Sequence, residues 1–161
     1  MARHDVEWLI IDGYSLMHRD ERTRAALSQN IQQARLALIR QIERTAGAWA
    51  PRVTVVFDGQ GDNVSQDDLP SAIEVLYAPG HLTADSVIER MTASAPDASV
   101  IMVVTSDRLE RETVMASGAL SMSCGAFLEQ CARDEQRLRQ KSPRPPSPKR
   151  TLGDYFPDLS G

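Results

Sequence analysis

Apolar residues along this chain follow two alternating rhythms: short solid runs, and longer stretches in which they recur every three or four positions. The first solid run, Val6 to Ile11, carries Val and Ile and stops on Asp12-Gly13, the pattern of a strand buried on both faces. Val53 to Phe57 repeats it and stops on Asp58-Gly59, and Ser99 to Thr105 repeats it again just ahead of Asp107. Shorter runs at Ala72–Tyr77 and Ala119–Met122 predict two further strands. The helical rhythm falls between them. Leu27, Ile31, Ala34, Leu38, Ile42 and Ala46 predict one long amphipathic helix over 25–47, stopped by Gly47. Thr83 reads as the N-cap of a helix reaching about Ser94. Further helices are expected over 108–117, stopped by Gly118, and over 124–140. Residues 15–24 read as a short polar connection, and 58–70, rich in Gly, Asp, Asn, Ser and Gln, as a surface loop. Strand and helix in alternation predict an α/β domain, doubly wound around a mostly parallel sheet.

From position 141 the material changes. Ser142-Pro-Arg-Pro-Pro-Ser-Pro-Lys-Arg150 cannot continue a helix and reads as an extended linker, followed by an aromatic end, Leu152-Gly-Asp-Tyr-Phe-Pro157. Two units are therefore expected: a folded domain over 1–140 and a Pro-rich disordered tail over 141–161. Leu152, Tyr155 and Phe156 fall on one side of a single helical turn, so this end is a candidate docking segment for a protein partner.

Composition narrows the function. With 161 residues, 42% of them hydrophobic, the chain buries a core without disulfides or structural metals. Its net charge of −4 supplies no global positive field for nucleic acid, and 5% aromatic content argues against a surface built of base-stacking platforms. A local basic patch remains compatible with RNA. Cys124 and Cys131 lie about two helical turns, or ~10 Å, apart, too far to bridge. They read as buried thiols of a reducing compartment. No run approaches the roughly 18 apolar residues of a membrane span, and the expectation is a soluble, cytoplasmic protein with no membrane partner.

The chemistry rests on the strand ends. One Asp after a strand is equally an Asx turn or a helix cap. Three in the same position, Asp12, Asp58 and Asp107, would converge at the edge of the sheet where ligands of open α/β folds bind. Asp85, in the first turn of the helix after Thr83, adds a fourth carboxylate, and Glu89 lies on its face one turn on. The absence of CxxC pairs and the spread of His4, His18 and His81 argue against zinc. Oxygen donors alone suit Mg²⁺ or Mn²⁺, and a divalent ion among repelling carboxylates suits phosphodiester hydrolysis.

Asp12-Gly13-Tyr14, Val55-Val-Phe-Asp58, Thr83-Ala84-Asp85 and Thr105-Ser106-Asp107, in this order and spacing, resemble the NYN domain of the PIN-like nuclease superfamily, and within it the YacP-like group. The resemblance covers about 6–140. It implies a Rossmann-like, three-layer PIN/NYN fold and a divalent-metal-dependent endoribonuclease, acting for this group on mRNA in association with the ribosome. It gives Asp12, Asp58, Asp85 and Asp107 the catalytic, metal-holding role, with Ser15, Ser106 and Glu89 in support. Two positions depart from the family pattern: Ser15 stands where Asn commonly follows Asp-Gly-Tyr, and Ser86 where a second acid often follows the helix Asp. The first removes an amide near the metal and the second removes charge.

Other α/β sites with strand-end Asp residues fit less well. A phosphoacceptor receiver needs adjacent acids after the first strand and a Lys at a late strand end. The only lysines here are Lys141 and Lys149. A haloacid-type phosphatase needs an Asp where this chain has Tyr14. The standing alternative is a catalytically weak or inactive module of the same fold that binds RNA or a protein. Phosphate contacts near an acidic edge require cations, and Arg19, Arg22, Arg108 and Arg111, which follow the first and last strand-end Asp, are the candidates.

Overall fold

A strand with no polar face needs cover on both sides, and this requirement sets the architecture. The computed structural model describes residues 5–46, 49–59 and 72–141. Within them, β1 (Trp8–Asp12) lies at the centre of a five-stranded sheet with β2 (Arg52–Phe57), β3 (Ile73–Tyr77), β4 (Ile101–Val104) and β5 (Leu120–Met122). The order is β3-β2-β1-β4-β5 and every pairing is parallel. Leu9, Ile10 and Ile11 are fully buried. Leu9 and Ile11 face the layer of α1 (Gly13–Arg19), α3 (Ile31–Ala46) and α6 (Cys124–Lys141), where Leu16, Leu38, Ile39 and Phe127 complete the core. Ile10 faces the opposite layer of α4 (Ala84–Ser94) and α5 (Arg108–Ala116), packed through Ile88 and Val114. A three-layer α/β fold results.

The site is positioned by the order of the strands. The chain leaves β1 toward β2 and leaves β4 toward β5, on opposite sides, so the crevice outside the carboxyl ends of β1 and β4 is the point where the winding reverses. Asp12 is the last residue of β1 and pairs with Val56, and its neighbour Ile11 pairs with Val104.

Three elements differ from the sequence expectation. The single helix expected over 25–47 is two, α2 (Glu21–Leu27) and α3, and the polar connection over 15–24 is helical in α1 and α2. The cause is side-chain capping. Asp20 accepts a hydrogen bond from the amide of Arg22 at 3.2 Å and starts α2, while Asn30 accepts from the amides of Gln32 and Gln33 at 2.9 and 3.3 Å and starts α3. Leu27 and Ile31 keep helical spacing across the break, which hides it from a periodicity reading. The fourth strand begins at Ile101, after a 3-10 turn at Ala98–Val100 started by Asp97, whose carboxylate accepts from the amide of Ser99. Gly118 closes α5 at φ +97°, a conformation that glycine adopts without penalty. The expected stop at Gly47, most of the loop over 58–70 and the whole segment from Ser142 lie outside the described residues.

The turn from β1 into α1 is close-packed. A Cβ on Gly13 would collide with the ring of Phe57, which is held by Tyr77, stacked at 5.9 Å, and by the Arg35 guanidinium, 5.3 Å from its centroid. Gly13→Ala is therefore expected to destabilise the fold by about 1–3 kcal/mol despite the better helix propensity of Ala. Urea unfolding measures it; a stabilised variant would show that the Phe57 ring is free to move.

Candidate metal centre

Three carboxylates meet at the switch point. Asp12 from the end of β1, Asp85 from the first turn of α4 and Glu110 from the first turn of α5 bring one oxygen each to within 4.8 Å of one another. Asp12 is 4% exposed and Glu110 2%, so water solvates neither carboxylate well. Asp12 accepts a hydrogen bond from the Ser15 amide at 3.2 Å, and the Thr105 hydroxyl donates to Glu110 Oε2 at 2.8 Å. The other Glu110 oxygen, Oε1, is buried with no hydrogen-bond partner. Burial, followed by the charge of Asp85, lifts Asp12 to about 6, against the lowering effect of the Ser15 amide. Burial lifts Glu110 further, to about 9, with the charges of Asp12 and Asp85 adding to it.

Desolvated, mutually repelling carboxylates with an unpartnered buried oxygen form a site whose electrostatics a cation would satisfy. The donor set is all oxygen and suits a hard divalent ion. The residues present therefore fit a Mg²⁺- or Mn²⁺-type centre, with Asp12, Asp85 and Glu110 as the groups that would hold it.

The other strand-end acids occupy different places. Asp58 Oδ1 accepts from the amide of Ala84 at 2.9 Å, and so fixes the residue just before Asp85. Asp107 is the N-cap of α5 and accepts from the amides of Leu109 and Glu110, at 2.9 and 3.5 Å. Neither belongs to the three-carboxylate group. Each instead holds the helix start that carries one of its members. Glu89 is half-buried one turn along α4, outside the group. Ser15 also has its hydroxyl 3.5 Å from that of Thr105. Ser86 serves the capping box of α4, accepting from the Thr83 amide at 3.2 Å and donating to the Thr83 carbonyl at 2.9 Å.

Ser106 is within hydrogen-bonding reach of the Cys124 thiol, and the charge of Arg111 acts on it. Burial, then the Asp12 charge, pushes the Cys124 thiol up to about 12, so it is no nucleophile at neutral pH. Cys124 and Cys131 are both buried and free, as expected. Arg19 lies over Gly125 at the start of α6, Arg22 lines a separate cavity of about 210 Å³ with Gln41, Thr45 and Cys131, and Arg108 pairs in the open with Glu112 at 3.2 Å.

Glu110 is the residue that sequence reasoning missed. Its signal was present as an acid three positions after Asp107, the N3 position of a capping box. Such an acid ordinarily reaches back to the cap; here it turns inward under Thr105. Among the described residues, no helix is long and apolar enough to cross a membrane.

Parallel sheet, reversed winding and a buried acidic edge together define an α/β domain of the PIN-like nuclease type. The chain matches the YacP-like NYN domain family over residues 9–157 and belongs to it. That span runs beyond the motifs into the Pro-rich segment. Among relatives, the uncharacterized protein YacP of Bacillus subtilis (strain 168) is 26% identical over 135 residues, covering 83% of this chain and 79% of that protein. The crystal structure of Rae1 (YacP) from Bacillus subtilis superposes with a TM-score of 0.70 at 25% identity, covering 84% of this chain and 79% of that one. The W164L mutant of the same protein gives 0.68, with 84% and 80% covered.

The raised acids set a pH dependence. A carboxyl group whose pKa is higher folded than unfolded binds its proton more tightly in the native state, so its contribution is full below the unfolded value and is lost as pH rises through the folded one. Without divalent ions, thermal stability should fall between about pH 4 and pH 9, through about 6 for Asp12 and about 9 for Glu110. Mn²⁺ should restore it most at the alkaline end, and Glu110→Gln should raise the metal-free Tm at pH 8 and flatten the slope. Calorimetry across pH, with and without metal, checks this; a metal-free Tm that climbs from pH 5 to 8 would contradict it.

Proposed function

We propose that the chain is a divalent-metal-dependent endoribonuclease whose working residues are Asp12, Asp85 and Glu110. The observation that carries this reading is their convergence, two of them desolvated, at the switch point of a fold of the PIN-like nuclease type. A divalent cation bound there supplies charge neutralisation at a phosphodiester and a water acidified toward neutral pH. The protein's part is to hold its oxygens in place beforehand. The Ser15 amide orients Asp12, Thr105 orients Glu110, and Asp58 and Asp107 hold the helix starts that bear Asp85 and Glu110. Asp58 and Asp107 are therefore positioning residues. Such groups, locked before substrate arrives, need little reorganisation during reaction. Arg19, Arg22, Arg108 and Arg111 remain the proposed contacts to the RNA backbone. Cleavage of mRNA at the ribosome and docking of a partner through Leu152, Tyr155 and Phe156 are carried by the family resemblance and the tail sequence respectively.

Labelled single-stranded RNA incubated with the purified chain, with Mg²⁺, Mn²⁺ or chelator, tests the activity. Asp12→Asn is expected to cut the cleavage rate at least about a hundredfold, by loss of a metal-holding charge, with no loss of metal-free stability. Full cleavage by the folded variant would refute the assignment and favour the inactive-module alternative.

A graded pair separates holding from positioning. Asp107→Ala should cost about 1 kcal/mol of stability through the lost cap and lower the rate less than Asp12→Asn, whereas Asp107→Asn, which still caps, should retain most of both. Equal loss of rate in Asp107→Asn and Asp12→Asn would instead make Asp107 a direct ligand.

A further inference from the structure

Beside the carboxylates, on the β2 side, lies a cavity of about 520 Å³ that none of the metal-holding residues lines. Its walls are Tyr14 and Met17 of α1, Ile31 and Arg35 of α3, Phe57 to Gly59 at the end of β2, and Gly80, Leu82 and Thr83 ahead of α4. The size falls within the roughly 300–1,000 Å³ of small-molecule sites. We propose that this cavity receives one unstacked base of a single-stranded RNA substrate, next to the phosphate that is cut. The proposal rests on the nuclease reading above and adds to it a substrate class: strands whose bases are free to splay out.

Three features converge on a base. The first is place. Tyr14 is next but one to Asp12, and Thr83 next but one to Asp85, so the cavity opens between the segments that bear two of the three carboxylates. Phe57, which lines the cavity, packs on Gly13, the residue that follows Asp12. The second is the wall chemistry. Ile31 and Leu82, both partly exposed, give apolar surface for the face of a planar ring, with the buried Met17 and Phe57 behind them, and Tyr14, 45% exposed and edge-on to His18 at 4.3 Å, stands at the rim as a stacking partner. A low overall aromatic content does not weaken this, because one base needs one platform.

The third is the buried cation. Arg35 is 2% exposed, donates to the Asp58 carbonyl at 3.1 Å, and has its guanidinium 5.3 Å from the ring centroids of both Phe57 and Tyr77. Held this way it places fixed positive potential behind the wall, and Asp58 lines the same cavity. A base edge carries electronegative acceptors, which that potential favours, and N–H donors, which the Asp58 side of the wall can accept. Duplex RNA is excluded from the cavity, since its bases are stacked and paired inside the helix.

The test reads binding directly. The full chain is titrated with a phosphorothioate-linked RNA tetramer carrying 2-aminopurine, with and without Mg²⁺, and the fluorescence quenching that accompanies stacking is followed. Gly80 supplies the main variant: a Cβ there meets nothing within 4 Å, so Gly80→Leu narrows the cavity without disturbing the fold. Gly80→Leu and Tyr14→Ala are each expected to weaken the quenching titration roughly tenfold, with unchanged melting curves. On cleavable single-stranded RNA, Gly80→Leu should raise KM and spare kcat. An unlabelled duplex should fail to compete. Wild-type affinity in folded Gly80→Leu, or effective competition by duplex, overturns the proposal. The two readings fail separately. A protein that quenches the probe through this cavity but cuts no RNA keeps the base site and loses the nuclease; one that cuts RNA with KM unchanged by Gly80→Leu keeps the nuclease and loses the base site.

Discussion

Three carboxylates brought together at the carboxyl edge of a sheet repel one another and have lost much of their water, and the structure around them is arranged to hold them there. Asp12 is fixed by β1, whose two neighbours β2 and β4 pair with it in parallel register. Asp85 and Glu110 have no such strand to hold them. They depend on helix starts, and each start is pinned by another acid, Asp58 through the Ala84 amide and Asp107 through the amides of Leu109 and Glu110. The five acids thus divide into three that face a common point, with Asp12 also accepting the Ser15 amide, and two that lie outside it and hold helix starts. Within the first group, burial raises the pKa of Asp12 and of Glu110, which is the cost of gathering them there.

This division of labour alters how the family's motifs are understood in this chain. Ser86, in place of the acid that often follows the helix Asp, closes a capping box with Thr83 and so stiffens the segment that presents Asp85. Ser15, in place of Asn, still offers Asp12 a backbone amide, and its hydroxyl lies near Thr105. The third carboxylate of the group, Glu110, arrives from a different helix. A site with fewer acids in its short motifs is in this way still a three-carboxylate site in space.

The β2 side of the crevice is built on different physics. Arg35 is a cation buried beside the stacked rings of Phe57 and Tyr77, and Phe57 in turn presses on Gly13 at the start of α1. Packing there links the acidic edge to the neighbouring cavity: one is a cluster of carboxylates, the other is walled in part by apolar side chains. The single-strand nuclease proposed above would use both, since a nucleotide is an anion attached to a ring.

The sequence by itself determined the order of elements, the parallel α/β class and the edge at which the acids gather. These follow from local information: solid apolar runs have no polar face to expose, and each ends on Asp-Gly or just ahead of an Asp. Asp12 and Asp85 were legible in the same way, as acids at the ends of strands and the starts of helices. Tertiary structure decided the rest. Whether a strand-end Asp joins the common point or serves only to accept an amide outside it depends on what the neighbouring elements bring within reach, and no spacing along the chain encodes that. Glu110 became part of the site because α5 packs Val114 into the core and turns the same face, one helical turn earlier, toward Thr105 and Asp12. Arg35 was hidden for the same reason: on a helix otherwise read by its apolar stripe, a cation on the buried face makes sense only once the rings of Phe57 and Tyr77, from two separate strands, are stacked beside it.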